Sequence, residues 1–285
     1  YARVDGFYER YFQSAMSGAV GVELLGVGFC GPDDSVDPQD LVKICDEKRW
    51  VEWGILFRPG KEGCPRFPTW KWVESLCDKV ATLGNAMLAA HLCGSRCDEV
   101  LNGETAFVKK LAGMGFQRFQ VNATAVNGVD TSDLSSKVGT LVAAIKGVPN
   151  VEWIIQRNEE TRPIWSELLA HKELENISIL FDDSVGTGVE RKDFPSPETV
   201  AGTPCGYAGG IGPHNIQTLL TTMQQQVGGI YLAGDYRAPW VDMESSLRSV
   251  SNDGVDSFSL SKVREVVSKV DQLVAENVVT IKKTT

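Results

Sequence analysis

The sequence predicts an α/β protein, a single (β/α)8 TIM barrel with an extra helix at its N-terminus, and three observations carry that prediction. Short apolar runs alternate with helix-period segments, eight such strands can be counted, and 285 residues suit eight βα units in one chain. Parallel strands joined by helices impose right-handed crossovers, and eight of them close on themselves. An open doubly wound sheet is the alternative. With 42% hydrophobic residues there is material for a core, and no linker or low-complexity stretch divides residues 1–285, which are read as one domain.

In chain order, residues 1–18 form the helical extension, with Phe7, Tyr8, Tyr11, Phe12, Ala15 and Met16 at helical spacing. Strand one covers 20–30 and stops at the turn Gly31-Pro32-Asp33-Asp34. A helix over 38–49 follows, with Asp37 as N-cap ahead of a first-turn proline. Further strands are expected at 51–57, 86–92, 116–122, 151–156, 177–182, 205–210 and 240–245. Between them lie helical patterns at 70–83, 97–114, 134–145, 163–171 and 214–225, with a closing helix at 260–274.

A net charge of -9 argues against nucleic acid or an anionic membrane as partner, since both need a basic face. A small anion held by backbone amides remains compatible with it. Seven scattered cysteines do not form a secreted disulfide framework, which places the chain in a reducing, cytoplasmic setting as a monomer or homodimer. No apolar run approaches the ~18 residues of a membrane span. The chain begins at Tyr1, which leaves room for a leader.

Barrel chemistry sits at the carboxyl ends of the strands, with phosphate gripped after strands seven and eight. Strand seven runs into C-G-Y-A-G-G-I-G-P-H-N-I at 205–216. There Gly209, Gly210 and Gly212 let a ligand approach the backbone, and Pro213 suits a first helical position whose free N–H groups hold a phosphate. After strand eight, Ser245 and Ser246 add hydroxyls to the same grip. Cys30, Arg66 and Asp182 bring a thiol, a guanidinium and a carboxyl to other strand ends. By residue type alone, Cys30 also reads as a buried inert thiol, Asp182 as a turn cap and Arg66 as a surface charge beside Glu62. His91, Cys93 and Cys97 raise a zinc reading, but the spacing matches no strong zinc pattern and a fourth ligand is not evident. His91 therefore reads as a polar residue of the barrel mouth, with no metal and no cofactor expected.

Several of these segments, in order, resemble the phosphoribosylanthranilate isomerase family, single-domain barrels of tryptophan biosynthesis. They are F-C-G at 29–31, P-R-F at 65–67, Q-V-N-A at 120–123, I-L-F-D at 179–182, G-G-I-G-P-H-N-I at 209–216 and V-D-M-E-S-S at 241–246. The resemblance implies an acid/base Amadori rearrangement of a phosphorylated sugar, with Cys30 as general base, Asp182 as general acid and Arg66 as a carboxylate clamp. His91, Asn122 and Asp242 then contact substrate. Such chemistry calls for a carboxyl raised by apolar neighbours and a thiol lowered by cationic ones. The chain departs from the family where Asn122 replaces a histidine, where Glu244 stands at a small-residue position, and where Leu247-Arg248 replaces a glycine. Another phosphosugar isomerase, epimerase or lyase, or a barrel that binds a phosphate ligand without turnover, fits the same pattern.

Overall fold

The computed structural model describes residues 21–84, 86–182, 192–233 and 236–282. The expected helix over 1–18 lies outside them. Eight parallel strands close into a barrel. They are β1 Gly26–Cys30, β2 Val51–Phe57, β3 Met87–Leu92, β4 Arg118–Val121, β5 Glu152–Arg157, β6 Ile177–Phe181, β7 Cys205–Tyr207 and β8 Trp240–Met243. Closure is made by β8 pairing with β1 in the register Gly28↔Asp242. Helices α1 Pro38–Glu47, α2 Trp70–Ala81, α3 Ser95–Leu101, α4 Ala106–Gly113, α5 Val138–Gly147, α6 Arg162–Leu168, α7 Ile216–Met223 and α8 Leu260–Ala275 lie along the connections. No helix of the described residues is long and apolar enough to cross a membrane.

Local chemistry explains the element ends. Asp37 caps α1 as expected, its carboxylate accepting the Gln39 N–H at 2.8 Å ahead of Pro38. Three of the differences from expectation have a clear local cause. The strand over 20–30 breaks at Leu25, whose N–H goes to the Pro239 carbonyl at 2.7 Å. Its first part, Val22–Leu24, leaves the barrel and pairs in parallel with Val279–Ile281. The helix over 97–114 is two helices, α3 and α4, parted at Gly103 with φ +86. The helix expected from His214 begins at Ile216, because the Asn215 side chain accepts the Gly212 N–H and donates to the Gly210 carbonyl, closing the loop first.

The main core lies between strands and helices, where Trp53, Trp153, Phe119 and Phe181 are wholly buried. The barrel interior is different. It holds a small apolar cluster of Ile154, Leu180, Ala208 and Trp240, with polar side chains above and below. The Trp240 indole fits because its neighbour on β7 is Gly206, where a Cβ would overlap the ring. Gly206→Ala is therefore expected to destabilise the protein by about 1–3 kcal/mol through overpacking. An unchanged urea midpoint would show that the indole can move aside.

Below that cluster runs an internal charge network. Arg118 on β4 donates twice to Glu52, at 2.9 and 2.8 Å, and once to Glu152 at 3.2 Å. Arg237 and Ser178 also donate to Glu152. The Arg118 guanidinium lies 4.0 Å from the Trp240 ring centroid, so the network and the apolar cluster form one plug.

Candidate functional site

Above the plug, at the carboxyl ends of the strands, opens a cavity of about 340 Å³. Of the residues singled out in the sequence, His91, Asn122, Asp182, Asp242, Gly209, Gly210, Ser245 and Ser246 line it. Cys30 lies just beneath, and Gly212 and Arg66 stand behind its wall. Strand alternation brings these side chains inward, since residues two apart share a face. The same alternation adds Gln120, two before Asn122, and Gln156 near the end of β5, neither of which was singled out. Their signal was an amide side chain near the carboxyl end of a barrel strand, at an inward-facing position.

At the cavity floor three side chains meet. The Cys30 thiol donates to Asp242 Oδ1 at 2.7 Å, and its sulfur lies 3.6 Å from His91 Nε2. Two glycines make the room. A Cβ at Gly28 would overlap the Asp242 carboxylate, and one at Gly54 would overlap Cys30 Sγ and stand 2.8 Å from His91 Nε2. The electrostatics correct the expected thiolate. Cys30 has carboxylates rather than cations about it, and burial together with Asp242, Glu244 and Glu52 pushes its thiol well up. Burial, then the Arg118 charge, lowers His91 to about 3, so its imidazole is neutral.

Burial also pushes Asp242 up to about 7, with Glu52 and Glu244 adding to the effect and the Cys30 hydrogen bond opposing it. The sign for stability follows from proton counting. Between pH 4 and 7 the folded protein holds a proton on Asp242 that the unfolded chain has released, so this group's contribution is full below about pH 4 and is lost as pH rises through 7. Asp242→Asn is expected to remove that fall. The difference in unfolding free energy between variant and parent should grow in the variant's favour from pH 4 to pH 7, and a flat difference in pH-dependent urea titrations would count against it.

Asp182, on the far side of the cavity, accepts the Gln156 Nε2–H at 2.7 Å. Gln156 Oε1 is buried with no described partner, which leaves an acceptor for a ligand hydroxyl beside Asp182. The glycine rim is partly as expected. Gly209 and Gly210 take φ +108 and +60, and no described acceptor takes their N–H groups. The Gly212 N–H is already bound by Asn215, and the Ser246 hydroxyl donates to the Ile211 carbonyl at 2.5 Å. Glu244 does line the cavity, but it is paired with Arg66 at 2.7 Å, and Arg66 also lies 3.3 Å from the Ser245 hydroxyl. Arg66 is thus held by the protein's own carboxylate. Leu247 and Arg248 do not narrow the cup. Leu247 joins the core, and Arg248 is buried against the Gly31 carbonyl and Asp33, at 2.8 and 2.7 Å, and against Asp256.

No family model and no curated protein matches the sequence. Among solved structures, the chain is similar to phosphoribosyl anthranilate isomerase from Thermus thermophilus, at 16% identity and TM-score 0.49 over 87% of this chain and 99% of that one. It is similar to phospho-2-dehydro-3-deoxyheptonate aldolase from Thermotoga maritima, at 13% identity and TM-score 0.53 over 92% and 71%. A GH30 endoxylanase from Clostridium papyrosolvens aligns at 12% identity and TM-score 0.53 over 90% and 73%. The chain is a (β/α)8 barrel. At these identities the likeness is one of fold, and the aldolase and the endoxylanase already belong to two different reactions, so chemistry has to be read from the site.

Proposed function

We propose that this barrel is an enzyme that moves protons on a small phosphorylated sugar, in the manner of the aldose-to-ketose rearrangement of phosphoribosylanthranilate isomerase. The observation that carries the reading is a pair of buried carboxyls, Asp182 and Asp242, opening into one cavity whose rim offers Gly209 and Gly210 amides that no described residue takes. An aldose-to-ketose step needs one group to protonate the ring oxygen and another to take the proton from the adjacent carbon. Asp242 holds its proton up to about pH 7 and is the acid in this reading, with Cys30 fixing its orientation. Asp182, steadied by Gln156, takes the carbon-bound proton. The family resemblance assigns these roles differently, with Asp182 as acid and Cys30 as base. The buried thiol's high proton affinity favours the carboxylate as base.

The Arg66–Glu244 pair favours a second substrate class, a phosphosugar without an anthranilate carboxylate, because the guanidinium is engaged within the protein. Incubating the protein in deuterated water with phosphoribosylanthranilate and a series of pentose and hexose phosphates tests both. Deuterium entering one carbon of one substrate supports the proposal, and the responding substrate shows the class. If none exchanges and none raises the melting temperature, the reading fails.

A further inference from the structure

We infer that Cys30, His91 and Asp242 form a site for a zinc-like divalent ion at the floor of the cavity. Their donor atoms, one sulfur, one nitrogen and one oxygen, come from β1, β3 and β8 and lie within 4.8 Å of one another, all buried. Tetrahedral zinc with its usual Zn–S and Zn–N bonds places those two ligands about 3.5 Å apart. The Cys30 Sγ to His91 Nε2 distance is 3.6 Å. Asp242 Oδ1 is nearer, at 2.7 Å, because a thiol proton joins it to the sulfur. Exchange of that proton for a metal ion opens this edge by about 1 Å. A second observation is independent of the donor set. Gly28 and Gly54 leave empty the two places where a Cβ would collide with these same three side chains. The barrel has been hollowed around the trio.

Three protein ligands with the fourth side open is the arrangement of a catalytic rather than a structural zinc ion. Here the fourth side is the cavity. On binding, the Cys30 S–H bond breaks and, below about pH 7, the Asp242 O–H bond breaks too; both protons leave to solvent, and the sulfur lone pair forms the metal bond. Nε2 of neutral His91 and a carboxylate oxygen of Asp242 each give a lone pair, and nothing is oxidised or reduced. Glu52 and Glu244 are each paired with an arginine, so the charge of a dication here is balanced by the ligands themselves, the Cys30 thiolate and the Asp242 carboxylate. This site shares His91 with the zinc pattern considered in the sequence, but not Cys93 or Cys97. Cys93 Sγ accepts instead from Asn122 at 3.4 Å. The inference goes beyond the proton-transfer reading, since the same atoms hold either a proton or an ion.

The test is metal binding by chelator-treated protein, read without any turnover assay. Cobalt(II) is expected to bind one equivalent, with the visible spectrum of a four-coordinate ion and a thiolate charge-transfer band, and zinc is expected to displace it. Cys30→Ser and His91→Gln should weaken zinc at least tenfold against a chromophoric chelator. The Cys93→Ser/Cys97→Ser double variant leaves the trio intact and keeps the assay decisive if Cys30→Ser does not fold. A band retained in it supports the site. Absence of a thiolate band in the folded parent, a band that survives Cys30→Ser, or a band lost in the double variant overturns it. Turnover of the chelator-treated protein is a separate measurement, so failure of the sugar phosphate reading leaves the metal result standing, and the reverse.

Discussion

Arg118→Met is expected to lower unfolding free energy by about 3–5 kcal/mol, the usual cost of breaking a buried ion pair from one side. Arg118 supplies two hydrogen bonds to Glu52 and one to Glu152, and both it and Glu52 are buried. Glu152 keeps Arg237, whereas Glu52 is left with no described cation inside the barrel. Methionine still covers the Trp240 ring, so the loss reports charge rather than volume. Adding Glu52→Gln to Arg118→Met should recover much of it, because the stranded charge is then gone. Urea unfolding of the four proteins of this cycle is the measurement. A loss below about 1 kcal/mol in the single variant would mean that the plug does not depend on its charges. The change also reaches the site. Arg118 opposes the upward push on Asp242, so its removal moves the Asp242 transition to higher pH.

Asp182→Asn is expected to slow solvent exchange into the responding sugar phosphate by about 10²–10⁴, the range for loss of a general acid or base. Asparagine keeps the side-chain shape and an oxygen to accept the Gln156 N–H, so the melting temperature should stay close to that of the parent. The pair of readouts separates proton transfer from folding. A rate within threefold of the parent would remove Asp182 from the chemistry and return it to the turn-capping role its position also allows. An equal effect on binding and on rate would make it a substrate contact rather than a proton carrier.

Much of the barrel was legible because the signals are local. Alternating periods of two and 3.6 are written within each segment, and Asp37-Pro38 marks a helix start by chemistry its own backbone completes. The break at Leu25 was not, since both halves of that run are apolar and only the distant Pro239 carbonyl and the 279–281 strand decide where each half goes. The start of α7 was missed for a similar reason. Asn215 had two uses for its side chain, and closing the glycine loop won over letting the helix begin earlier.

In the site, the sequence by itself determined which residue types stand at the strand ends, and so placed His91, Asn122, Asp182, Asp242 and the Gly209-Gly210 rim around one cavity. Only the tertiary structure decided who partners whom. Cys30 meets Asp242 across 212 positions, and Arg66 meets Glu244 across 178. These contacts turned an expected thiolate into a buried thiol and set the Arg66 guanidinium beside the protein's own Glu244 carboxylate. The physical reason is that a side chain's proton affinity and free valence depend on burial and on charges a few ångströms away, and those neighbours are chosen by barrel closure rather than by position along the chain.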